Sequence, residues 1–113
     1  MEITNSTEQQ IHFISVNGDL DASSSILLDK AIKDALAANH KVIIVDCVQL
    51  NYISSAGLGV FMSYIEEFEA NGIQLVIYGL SEKVKNVFKI LGLDQLLNIV
   101  KTKEEAKAFV NGA

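Results

Sequence analysis

A chain of 113 residues, half of them hydrophobic, can bury one core but not two, which excludes disorder and predicts a single folded domain over residues 1–113. The formal net charge of −5, with only nine Lys and Arg and no cluster among them, argues against a nucleic-acid or anionic-membrane surface and leaves protein as the expected partner. The opening residues are too polar for a signal peptide, no apolar run approaches the ~18 residues of a membrane span, and the lone Cys47 excludes an internal disulfide or a cysteine zinc site, so we expect a cytoplasmic protein with Cys47 as a core thiol.

In chain order, Glu2 to Thr7 and Ile11 to Val16 read as strands, with Gln9-Gln10 as the hairpin turn and Asn17-Gly18 as the stop. Ile26, Leu27, Leu28, Ala31, Ile32, Ala35 and Leu36 recur with a helical rhythm. They predict a helix of about four turns, capped by Asp21 or Ser23 and ended at Asn39. Val42 to Val45 is β-branched and too short for a helix, hence a strand buried on both faces. After Asp46 and Cys47, the polar and small residues from Asn51 to Gly59 read as a loop. It opens a helix that carries Phe61, Met62, Tyr64, Ile65 and Phe68 and stops at Asn71-Gly72. Ile73 to Tyr78 is a further strand, Ser81 caps a helix ending at Gly92, Asn98 to Val100 makes a short edge strand, and Thr102 caps a terminal helix. Strands alternating with helices after a hairpin predict an α/β fold, a mixed sheet with about four helices. Its functional groups should gather beyond the carboxyl ends of the strands, with Asp46 facing the loop of Ser54 and Ser55.

Ser54 and Ser55 stand at a predicted helix N-terminus, where unpaired N–H groups and the helix dipole favour a phosphate. The competing reading is that one serine caps the helix and the other is filler. Gly57-Leu58-Gly59 invites a dinucleotide site, but the third glycine and the phosphate-cradling lysine are absent; both glycines would then serve tight helix packing. The G-x-S-x-G frame of a nucleophile elbow is missing. His12 and His40 are remote in sequence from an acidic orienting partner and lack ligand spacing. We therefore expect no enzyme, no catalytic residue, no cofactor and no metal.

The segment from Asp46 to Val60, DCVQLNYISSAGLGV, resembles without gaps the phosphorylation loop of the STAS family, the domain of sulfate transporters and anti-sigma factor antagonists. Gly18-Asp19-Leu20-Asp21 resembles the family's G-[acidic]-L-D at the end of the opening strand, and the order of elements agrees over essentially the entire chain. The resemblance implies a STAS fold and a single-domain anti-sigma factor antagonist of a bacterial partner-switching pathway. Such a protein binds an anti-sigma factor serine kinase of the histidine-kinase-like ATPase class when unphosphorylated. Phosphorylation of a loop serine releases it, and a PP2C-type phosphatase resets it. The family's phosphorylated position, two residues before Gly-Leu-Gly, is Ser55 here. Ser54 replaces the Asp common before it and is the alternative acceptor. By the same resemblance Asp21, Ser54, Ser55, Ala56, Gly57 and Leu58 form the partner-binding set, while Asp21 and Asp46 occupy acidic positions near the serine, Asp46 in a structural role. A rival reading is an unphosphorylated STAS subunit of a lipid-transport ATPase complex, and a more distant one is a nucleotide-binding module.

Overall fold

Strands β1 (Glu2–Glu8) and β2 (Ile11–Leu20) form the opening hairpin, turning through Gln9 and Gln10 at φ 52° and 69°. Two left-handed residues in a row make the tight turn whose twist matches that of the strands it joins. The computed structural model describes residues 1–111. Asn17-Gly18 does not stop the strand as expected. Gly18 takes φ 107°, a conformation that glycine alone adopts freely, and the pairing register shifts there, so β2 bends through a bulge and runs on to Leu20.

That extension gives β2 two parallel neighbours on one side. Residues His12 to Ser15 pair with β3 (Val42–Asp46), and Gly18 to Leu20 pair with β4 (Leu50–Ile53). The first part of the segment expected to be a loop is therefore strand. Its ends, Leu50 and Ile53, are buried while Asn51 and Tyr52 face solvent, so its polarity marks an exposed edge. The main sheet runs β1-β2-β3-β5-β6, with β5 at Gln74–Tyr78 and β6 at Asn98–Val100. Only the β1–β2 pair is antiparallel, which makes the sheet mixed, as predicted.

Four helical segments cover one face of the sheet: α1 (Ser25–Ala37), α2 (Ser55–Ser63), α3 (Ile65–Asn71) and α4 (Glu82–Ile90). Leu28 and Ile32 of α1, Phe61 of α2, Phe68 of α3 and Phe88 of α4 share a core with Ile43 and Val45 of β3. The predicted helix after the serines is thus two segments that meet at Tyr64. On the opposite face α5 (Lys103–Val110) packs Ala106 against Ile44 and Val76. It is tied to the hairpin by Lys107, which donates to Glu8 at 2.6 Å. Both faces of β3 are buried, as its β-branched run requires. Cys47 is enclosed at the end of β3, and burial pushes its thiol well above the usual range.

Three of the predicted helix caps and stops, which are local devices, stand where the sequence puts them. Ser81 Oγ accepts the Val84 N–H at 3.2 Å, Thr102 Oγ1 accepts the Glu105 N–H at 3.1 Å, and Gly72 ends α3 in the left-handed region. None of the helices of the described residues is long and apolar enough to cross a membrane.

Candidate functional site

The site is built where β4 hands the chain to α2. Ser54 is extended (ψ 171°), and its N–H donates to the Leu20 carbonyl at 2.8 Å, pinning the junction to the end of β2. Its hydroxyl oxygen accepts the Gly57 N–H at 3.2 Å, which makes Ser54 the N-cap of α2. Ser55 is the first helical residue. It is exposed, and none of the side-chain hydrogen bonds among the described residues engages its hydroxyl. The two serines of the sequence are therefore separated by function: Ser54 is spent on the helix end and Ser55 is offered to solvent.

Ala56 is exposed beside Ser55, but Gly57 and Leu58 are turned inward. A Cβ on Gly57 would lie 2.9 Å from both Ile53 Cγ1 and Leu20 Cδ2, so the first turn of α2 sits against the β2 and β4 ends at a distance only glycine permits. Leu58 belongs to the core. These two residues, expected in the partner-binding set, are buried and support the loop from behind. At Gly57 the glycine thus serves tight packing of the helix on the sheet, the alternative to a dinucleotide site.

Asp21 reaches the site through the sheet. Leu20 pairs with Ile53, so the next residues in each strand, Asp21 and Ser54, leave the ladder side by side. Asp21 and Ser24 cap each other. The Asp21 carboxylate accepts the Ser24 N–H, and Ser24 Oγ accepts the Asp21 N–H, both at 2.9 Å. The single Ser24 O–H is shared between the Asp19 carbonyl at 3.0 Å and the Asp21 carboxylate at 2.9 Å. This reciprocal pair has the hydrogen-bond pattern of a capping box but lies in the turn before α1. The Ser24 N–H first, then the Ser23 and Ser24 hydroxyls, pull the Asp21 carboxyl down to about 2. Neither of the two expected residues is the N-cap of α1, which is Ser24 with no side-chain cap of its own; Asp21 instead closes the turn that leads into the helix, and Ser23 donates to its carboxylate at 2.9 Å. Ser24 went unnoticed in the sequence, although the spacing Asp21-x-x-Ser24 was there to be read.

Asp46 is not at the site. It pairs with Ser15, five residues before Leu20 on β2, which at ~3.3 Å per residue is about 16 Å from the Ile53 end. Its carboxylate accepts the Ser15 hydroxyl at 3.2 Å and the Val48 N–H at 2.9 Å, holding the turn from β3 into β4. The inserted β4 explains the distance: the chain travels a strand's length between Asp46 and Ser54. His12 and His40 stack with ring centroids 4.6 Å apart near the start of the parallel strands, away from both serines.

The elements that flank the serines carry exposed apolar side chains. Met62 lies seven residues after Ser55 on the same face of α2, Tyr52 is exposed on β4, and Ile26 and Leu27 are exposed on the first turn of the neighbouring α1. A cleft lined by Asp21, Ser24, Leu27 and Asn51 opens beside them. A hydroxyl on elements that also expose apolar groups suits a protein contact that a charge would spoil.

The model of the STAS domain matches residues 2–106. A relative from Staphylococcus aureus (strain NCTC 8325 / PS 47), named anti-sigma-B factor antagonist, is 25% identical over 99 residues, 88% of this chain and 92% of its own. An anti-sigma factor antagonist from Mycobacterium paratuberculosis superposes with a TM-score of 0.89 at 17% identity, over 97% of this chain and 93% of that one. The anti-sigma factor antagonist SpoIIAA in its unphosphorylated form gives 0.77 at 21% identity, over 99% of this chain and all of that one. The phosphorylated form of this Bacillus cell fate determinant gives 0.73 at 22% identity, over 96% and 99% of the respective chains.

Proposed function

Given that the chain belongs to the STAS domain family, we propose that it is an anti-sigma factor antagonist whose contact surface is switched by phosphorylation of Ser55. The observation that carries this reading is the division of labour between adjacent serines: Ser54 closes the helix end and Ser55 stands exposed on the first turn of α2. The names of its relatives and the two forms of SpoIIAA support it. Unphosphorylated, the surface that carries Asp21, Ser54, Ser55 and Ala56, with exposed apolar side chains on the same elements and on α1, docks on an anti-sigma factor of the histidine-kinase-like ATPase class. That partner transfers a phosphoryl group from ATP to the Ser55 hydroxyl oxygen and is then released, and a PP2C-type phosphatase restores the serine.

The energetics of release follow from where the charge lands. A phosphoserine carries about −1.5 to −2 at neutral pH. In the free protein it meets the unpaired N–H groups of the first helical turn, interactions worth ~0.3–1 kcal/mol at an exposed site. In the complex it must lose its water against an apolar surface, where an unpaired buried ion costs several kcal/mol. A loss of about 2.8 kcal/mol already weakens binding a hundredfold.

Recovery of the tagged chain from its own cells with and without ATP, followed by peptide mapping of the recovered chain, tests the reading. We expect an ATPase-fold anti-sigma factor to be retained, and phosphate to appear on Ser55. Modification of Ser54 alone, or full modification of Ser55→Ala, would overturn the assignment. Recovery with a membrane transport ATPase and no phosphate would support the transport-subunit reading instead.

A further inference from the structure

Strand β1 is the longest open edge of the sheet. It pairs with β2 on one side and with no strand of the described residues on the other, and its register runs unbroken from Glu2 to Glu8. Edges are usually blunted by a proline, a lysine or a bulge. This one reads Glu-Ile-Thr-Asn-Ser-Thr-Glu and has none of the three. The hairpin decides which backbone groups are open. Glu8 and Ile11 flank the two-residue turn and bond each other, so Glu8, Ser6, Thr4 and Glu2 spend their N–H and C=O groups on β2. Those of Ile3, Asn5 and Thr7 point outward.

Side chains alternate along the same strand. Glu8 accepts from Lys107 of α5, which places Glu2, Thr4, Ser6 and Glu8 on the α5 face, while Ile3 packs on the core beneath α1. The Glu8 carboxylate lies between Lys107 at 2.6 Å and Lys103 at 3.5 Å, a cluster with one positive charge in excess. Glu2, at the other end of the strand, makes no ion pair among the described residues. On the α1 face, Lys30 and Asp34 border the strand and neutralise each other at 2.8 Å.

We propose that β1 pairs antiparallel with β1 of a second copy of the chain, about a two-fold axis at Asn5, joining the two sheets edge to edge. In this register Ile3 opposes Thr7 and Asn5 opposes its own copy, so every outward N–H and C=O of these residues is bonded. Sliding the strands by two residues in either direction would leave one of the three in each copy opposite Met1 or Gln9, outside the strand. A two-fold axis requires a strand to match its own reverse, and β1 does. The hydroxyl of Thr4 meets that of Ser6 at the close, non-hydrogen-bonded spacing, and β-branched Ile3 meets β-branched Thr7. At each end Glu2 meets Glu8, whose two lysines need a second carboxylate for neutrality. An unrelated extended segment would have to offer the same groups in the same order. Because β1 and β4 pair with opposite sides of β2, this edge lies across β2 from the strand that leads to Ser55, and the pairing does not rest on phosphorylation.

Sedimentation equilibrium across the micromolar to millimolar range tests the proposal. The unmodified chain should reach a dimer. Asn5→Pro, which removes an outward N–H at the axis in both copies, should be monomeric at the same concentrations. Thr4→Lys with Ser6→Lys, and separately Thr4→Glu with Ser6→Glu, should each pair at least about tenfold more weakly, because each sets like charges opposite one another twice. An equimolar mixture of these two double variants should recover the dimer, since lysine then opposes glutamate at both places. Thr4 and Ser6 are exposed, and unchanged thermal melts would show that the fold survives. A monomer throughout, a dimer indifferent to Asn5→Pro, or a mixture no better than either double variant alone would each overturn the proposal.

Discussion

Ser54 and Ser55 are chemically identical and adjacent, yet the structure assigns them different free-energy roles. Ser54→Ala removes the cap on Gly57 N–H and should lower unfolding stability by about 1 kcal/mol in urea melts. Ser55→Ala removes an exposed hydroxyl and should stay within about 0.5 kcal/mol. The glycines that follow divide in the same way. Gly57→Val drives side-chain atoms into Leu20 and Ile53 and should cost about 1–3 kcal/mol, while Gly59 has open space at its Cβ position and Gly59→Ala should stabilise by up to ~1 kcal/mol. At Asp21 the hydrogen bonds place the native carboxyl at about 2, below the ~3.9 of an unfolded chain. Its contribution is therefore complete above the unfolded value and disappears as pH falls through 4 towards 2. Carboxyl NMR titration should show the depressed midpoint, and Ser24→Ala should raise it. An Asp21 midpoint near 4 in the native protein would contradict the reciprocal pair.

At the scale of elements, the opening hairpin meets the connection from α1 to β3 through stacked His12 and His40. Burial, and next the neighbouring His40, hold the His12 imidazole below its ordinary value. The native state thus keeps His12 neutral where the unfolded chain, with its value near 6.5, binds a proton. Stability is complete above that pH and is lost as pH falls through it towards the lower native value. The thermal midpoint should decline from pH 7 to 5, and His12→Phe should flatten that decline; an equal slope in the variant would remove the pair from the account. The caps at Ser81, Thr102 and Gly72 were legible because a cap joins residues three or four apart. Strand β4 was not, because its pairing partner is the bulged end of β2 about thirty residues earlier, and neither segment announces the other.

For the molecule as a whole, the proposed switch needs no refolding. Ser55→Glu should keep a near-parental melting temperature and far-UV spectrum while weakening binding to the kinase at least about tenfold, glutamate carrying less charge than phosphate. Calorimetric titration beside thermal melts separates the outcomes: a variant that binds normally, or one that fails only because it has unfolded, contradicts a mechanism of denied contact. The order of elements apart from β4 and the break at Tyr64, the mixed sheet and the serine pair at a helix start were determined by the sequence alone, since they follow from hydrophobic period, turn residues and a contiguous motif. Tertiary structure decided the rest. It separated Ser55 from Ser54 by giving one hydroxyl a backbone donor three residues on. It brought Asp21 beside the serine and carried Asp46 away, because the bulge at Gly18 lets β2 continue past β3 to pair with β4. It turned Gly57 and Leu58 inward, because a helix packed on a sheet must bury one side of its first turn, and which side is settled by strands distant in sequence.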